Sequence, residues 1–239
     1  MEMRRIGLIG GMSFEGSAVY YRMLNEAVRE RLGGLNSAEV LLHSVNFQEI
    51  VDLQKAGRWE DAGRSLARVA RGLEAAGADC VMICAVTMHL VADAVGESVG
   101  VPMINIIDET AFRLQAAGAK RPLLLATRYT MEHGFYAERM KRHGIDVMVP
   151  DPDGRALTHS IIFDGLCAGK VLDTSRKALV ALMERAKSDG ADAIILGCTE
   201  ICLLLDPAQL PLPGFDSTGI HVEAAVEFAL ASTPAGGQH

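Results

Sequence analysis

The sequence predicts an α/β protein of two pseudo-symmetric lobes, each built on a parallel sheet. Three observations predict it. Short apolar runs alternate with longer amphipathic stretches along 239 residues, and strands that alternate with helices imply a parallel sheet covered by helices. The stretch "GADCVMICAVTMH" starts at Gly77 and its near-copy "GADAIILGCTEI" starts at Gly190. Pro and Gly punctuate the joins, as at Gly100-Val101-Pro102 and at 210–214.

The elements follow in order. In the first half the apolar runs 6–9, 40–45, 81–84 and 103–107 read as buried strands. Amphipathic patterns at 16–31, 59–76 and 91–99 read as helices. In the second half, 123–126, 147–149 and 193–196 read as strands. Helices are expected at 131–143, 160–168, 174–188 and about 220–231. The duplication is wider than one pair of segments. "IGLIGG" (6–11) corresponds to "PLLLATR" (122–128), and "VPMINIIDET" (101–110) to "LPLPGFDST" (210–218). Segments repeating in one order at a near-constant offset indicate two related lobes. The first is expected over 1–103 plus 213–239, the second over 104–212.

Composition bounds the function. Hydrophobic residues are 49% of the chain and charged residues 22%, enough for a sizeable core. A formal net charge of −7 argues against nucleic-acid or anionic-membrane partners. No secretory signal or membrane-length apolar run is visible, so the five cysteines read as reduced thiols of a cytoplasmic protein. Cys80/Cys84 and Cys198/Cys202 share a CxxxC spacing, which is a poor match to metal-site patterns, and no metal is expected. "GLIGG" lacks the spacing of a phosphate loop.

In open parallel sheets, ligands bind beyond the carboxyl ends of the strands. The duplicated segments place Gly10-Gly11-Met12-Ser13, Ala85-Val86-Thr87, Ala126-Thr127-Arg128 and Gly197-Cys198-Thr199-Glu200 there. Two such edges facing across an interlobe cleft would suit chemistry at a stereocentre, where a proton leaves one face and arrives at the other. A Cys can be either base or acid. Cys198 is expected at a strand end, with its pKa lowered by a helix start; its other reading is a small apolar filler. In the repeat, the column of Cys198 holds Ala85.

At these residues the chain resembles the aspartate/glutamate racemase family, the PLP-independent amino-acid racemases, and within it the broad-specificity amino-acid racemase branch. "GLIGGMSFEGSAVYY", "RLGGLNSAEVLLHSVNF", "ATRYTMEHGFY" and "ILGCTEI" carry the resemblance across nearly the whole chain. It implies two flavodoxin-like lobes with the active site in the interlobe cleft, and a last helix returning to the first lobe. It also implies no cofactor, a small carboxylate-bearing substrate such as an amino acid, and a homodimer. Cys198 then corresponds to a catalytic acid/base. Met12, Ser13, Gln54, Val86, Thr87, Thr127, Thr130, Lys170, Thr199 and Glu200 fall at substrate-binding positions. Several have a plainer reading: Ser13 and Thr130 as helix caps, Gln54 and Lys170 as surface residues, Glu200 as a cap or an amine-orienting group.

The departures bear on activity. Where the family commonly reads "CTNTMHK", this chain reads "CAVTMHL". The first acid/base position is therefore Ala85, the Asn column is Val86, and Leu90 replaces Lys. Ala126 replaces the Gly of the family's "GTR". Cys84 lies one residue early and, by strand alternation, should face the sheet packing; it is a weak substitute. Thr87 is left as a hydroxyl that can relay a proton through water. The expected function is a cofactor-independent amino-acid racemase-type isomerase. The alternatives are a single-thiol decarboxylase of a malonate-like acid, a binding homologue with impaired catalysis, or an engineered variant at Ala85 and Val86.

Overall fold

A computed structural model describes residues 3–231. The chain runs β1 (Ile6–Gly10), α1 (Phe14–Leu32), β2 (Val40–Ser44), α2 (Phe47–Lys55), α3 (Trp59–Ala75) and β3 (Cys80–Ile83). A 3₁₀ turn (Val86–Val91) leads into α4 (Ala92–Gly96) and α5 (Ile106–Ala116). Then come β4 (Pro122–Leu125), α6 (Arg128–Glu132), α7 (Phe135–Arg142) and α8 (Pro152–Ser160). A π turn (Ile161–Gly165) and a 3₁₀ turn (Leu166–Ala168) precede α9 (Asp173–Ser188) and β5 (Ala193–Leu196). Two more 3₁₀ turns (Ile201–Leu203, Pro207–Gln209), β6 (Gly214–Asp216) and α10 (Ser217–Leu230) complete it.

The chain divides into two compact units. The first holds the residues up to Cys84, Asp93–Ile104 and those from Val222 onward; the second holds Ala85–Ala92 and Asn105–His221. Residues 85–92 and 213–221 group with the second unit. In the first unit, parallel strands lie in the order β2-β1-β3, and Met103 bridges to Val81 beyond β3. In the second, Met148 bridges to Leu123 before the order β4-β5-β6. The two sheets therefore have one topology: β1 matches β4, β3 matches β5, Met103 matches β6, and β2 matches Met148.

The repeated Gly-Ala-Asp does the same work in both units, at the amino end of the sheet. Asp79 accepts a hydrogen bond from the Arg5 amide at 2.6 Å. Asp192 accepts from the amides of Lys120 and Arg121 at 2.7 and 2.9 Å. Gly77 and Gly190 take φ of 95° and 94°, where a side chain is strained. The motif that reveals the duplication is a device for joining a helix to a strand.

Each unit has its own core. In the first, Ile6, Leu8, Leu24, Val28 and Met82 pack with Val222, Val226 and Ala229 of α10. Arg4 donates to the Phe228 carbonyl at 3.1 Å. The last helix therefore completes the first unit, as the resemblance implied. In the second, Leu125, Leu196, Leu179 and Ile201 form one apolar cluster, and Ile106, Leu124, Tyr136 and Ile195 another.

Several sequence expectations are corrected. Residues 103–107 form no strand beyond the Met103 bridge, because Asn105 caps α5, its side chain accepting from the Ile107 amide at 2.9 Å. Residues 147–149 likewise make a single bridge at Met148. The helix expected over 131–143 is two, broken at Gly134 with φ of 77°. Helix 160–168 is instead the π and 3₁₀ continuation of α8. Helix 91–99 is a 3₁₀ turn followed by the short α4. α2, α5 and the three-residue β6 had no predicted counterpart.

Candidate active site

β5 is an apolar Ala-Ile-Ile-Leu run with a partner strand on each side, buried throughout because apolar residues of other elements cover both its faces. Its exit is set by Gly197, whose amide donates to the Leu125 carbonyl at 2.9 Å. A Cβ at Gly197 would lie 2.7 Å from Leu124 Cδ1 and 3.2 Å from Ala126 Cβ. A side chain there would have to displace the Leu124 tip and press on Ala126. Beyond it stand Cys198, Thr199 and Glu200. The Cys198 thiol donates to Glu200 Oε2 at 2.9 Å, and the Thr199 hydroxyl donates to the same oxygen at 2.6 Å.

Cys198 is 8% exposed. Burial pushes its thiol well above the ordinary range, and the neighbouring Glu200 carboxylate pushes it further. This corrects the expected lowering. The chain turns into the three-residue 3₁₀ segment Ile201–Leu203 instead of a helix, so no aligned stack of peptide dipoles offsets burial and the carboxylate.

β4 pairs with β5, with Leu125 opposite Leu196, so Thr127 and Cys198 both lie two residues past a paired strand end. Thr127 precedes α6, yet its side chain does not cap that helix. Its hydroxyl lies 3.2 Å from that of Thr87 and 3.3 Å from that of Thr130, and Thr87 and Thr130 are 3.0 Å apart. Thr130 sits inside α6, 2% exposed, so it is not the cap that the sequence allowed. Three expected residues from two distant segments form one hydroxyl cluster.

The third segment is held by His89. Its Nδ1 donates to the Ala85 carbonyl at 3.1 Å, and its Nε2 accepts from the Ile106 amide at 3.4 Å. That pattern requires a neutral ring, and burial holds the imidazole down at about 4. The His89 bond to Ala85 closes the turn that presents Thr87. The signal for the place of His89 was the i, i+4 spacing to Ala85, legible only once the turn is known. Ala85 itself is half-buried, while Val86 belongs to the buried apolar cluster that holds Ile106, Ile107 and Tyr136.

The remaining candidates separate. Met12 is buried and Ser13 caps α1, its Oγ accepting from the Gly16 amide at 3.2 Å; both follow β1 in the first unit. Gln54 is half-buried in the last turn of α2. Cys84 lies in the core of the first unit, 3% exposed, where burial pushes its thiol up. Lys170 stands exposed after Gly169, outside both hydrogen-bonded groups. Among the described residues, no group of three His, Cys, Asp or Glu side chains is placed to hold a metal ion. No described helix is long and apolar enough to cross a membrane.

Known proteins share this fold. A crystal structure described as a candidate Asp/Glu racemase from Yersinia pestis is 43% identical, with a TM-score of 0.91 over 96% of this chain and 100% of that one. An aspartate racemase homologue from Pyrococcus horikoshii is 34% identical, with a TM-score of 0.86 over 95% of this chain and 99% of that one. The broad specificity amino-acid racemase RacX of Bacillus subtilis is 26% identical over 159 residues, 66% of this chain and 68% of its own. The Asp/Glu/hydantoin racemase family model matches residues 9–225, and the chain belongs to that family.

Proposed function

We propose that this protein is a cofactor-independent racemase-type isomerase acting on a small carboxylate-bearing amino acid, with Cys198 giving and taking the α-proton. The observation that carries the reading is the pairing of strand ends in the second sheet. It sets the Cys198–Glu200 pair beyond β5 and Thr127 beyond the neighbouring β4, where Thr127 and Thr130 meet Thr87. Thr87 and Thr127, both half-buried, can turn their hydroxyls to a substrate carboxylate, while the buried Thr130 hydroxyl holds them in place. Cys198 then protonates or deprotonates the α-carbon from one face. The column of the second acid/base holds Ala85, which carries no proton, so delivery from the other face depends on water relayed by Thr87. Exchange of the α-proton should therefore outrun inversion. The functional unit in this reading is a homodimer in the cytoplasm.

Proton NMR in D₂O over a panel of single amino acids tests this. Loss of the α-proton signal should exceed the gain of the opposite enantiomer, and Cys198→Ala should slow exchange by roughly 10²–10⁴-fold. Absence of exchange with every amino acid would overturn the reading.

One observation favours a second reading. The buried Cys198 thiol donates to Glu200, and burial with that carboxylate pushes its pKa up, which favours the acid form. That suits protonation of a carbanion left when a malonate-like acid loses carbon dioxide, with Val86 in place of a polar residue. Carbon dioxide release from an aryl- or alkyl-malonate, abolished in Cys198→Ala, separates it from racemisation.

A further inference from the structure

The carboxylate beside Cys198 has no part in the mechanism above, and its geometry asks for one. Glu200 heads the 3₁₀ turn Ile201–Leu203, but its side chain makes no capping bond to that turn. Instead, one of its oxygens, Oε2, receives the Cys198 thiol at 2.9 Å and the Thr199 hydroxyl at 2.6 Å. Two donors converging on one oxygen fix both the carboxylate and the direction of the S–H bond.

We propose that Glu200 is the positioning residue of Cys198: it aims the thiol and is the acceptor through which the thiol's proton leaves and returns. In the forward step the S–H bond breaks, an O–H bond forms at Oε2, and sulfur keeps the electron pair. The pair carries one negative charge before and after, so the step moves no net charge into a buried place. The thiolate can then take an α-proton. In the reverse sense Glu200 returns its proton to sulfur, and Cys198 is again a thiol. Thr199 holds the carboxylate rotamer during the transfer.

The proposal rests on the catalytic role given to Cys198 above, and its first test reads the thiol without any substrate. Iodoacetamide alkylation of the Cys198 peptide is followed by mass spectrometry from neutral to alkaline pH, which separates it from the exposed Cys167. In Glu200→Gln, which keeps the shape and removes the charge, the midpoint should move down by about one pH unit, a tenfold gain in thiolate. An unmoved midpoint would show that burial alone holds the proton, and would overturn the proposal. In the exchange assay the same variant should lose about 10-fold or more in kcat with KM little changed, and Glu200→Asp should recover part of it. Retained kcat would also overturn it. If wild-type protein exchanges no amino acid, the function fails while the alkylation shift still stands or falls by itself. Should the Gln variant not fold, the wild-type S–H infrared band, identified by its loss in Cys198→Ala, replaces it. A band at the lowered frequency of a hydrogen-bonded thiol supports the pair, and one at the free-thiol frequency refutes it.

Discussion

At the scale of single residues, His89 gives the clearest consequence. Its folded form stays neutral until pH falls to about 4, whereas an unfolded chain protonates it near 6.5. The stability it contributes is complete above 6.5 and is lost as pH falls from there toward 4, by about 3 kcal/mol. Urea midpoints measured through that window should fall in the wild type and fall less in His89→Gln. Neighbouring positions divide by burial. Val86 sits in an apolar cluster, so Val86→Asn should cost about 1–3 kcal/mol by burying an amide. Ala85→Thr, at a half-buried site, should fold normally. A thermal melt of each variant checks both. Cys198 was legible in the sequence because the repeat singled it out. Its raised thiol pKa was not, since that depends on a side chain two residues on and on burial set by the whole second unit.

Elements turn on how strands end. Gly197→Ala would push a methyl against the Leu124 side-chain tip and Ala126, so that both must shift at the point that delivers Cys198. The expected cost is about 1–3 kcal/mol, with a loss of any exchange activity larger than the stability change explains. Denaturant midpoints and exchange rates on the same sample test this. Central strands were readable because a strand buried on both faces is a continuous apolar run, as in β1 and β5. Edges were not. Residues 103–107 are as apolar as a strand, but Asn105 diverts the backbone into α5, and a cap competes with a ladder only in three dimensions. The division of α6 from α7 at Gly134 was missed for the reverse reason. A lone glycine within a helical pattern is often tolerated, and the positive φ that makes it a break cannot be seen in the letters. Arg139 of α7 then grips Asp108 of α5 with two bonds of 2.7 and 2.6 Å, a pairing across thirty residues that no local pattern announces.

For the whole molecule, the duplication is the organising fact. Two units with one strand topology each carry a separate core, and each sheet has one strand paired on both sides along its length: β1 in the first, β5 in the second. Native-state hydrogen exchange should find the slowest amides in those two strands, with the one-sided β2 and β6 faster. Equal protection in β2 and β1 would contradict it. The hydroxyl cluster carries a last consequence. Thr87, Thr127 and Thr130 are neutral, and the chain around them has a net charge of −7. Under the proposed reading, an anionic metabolite is recognised by dipoles at touching range and is not drawn in from afar. Its capture should proceed without electrostatic steering, and added electrolyte should leave affinity unchanged or slightly improved.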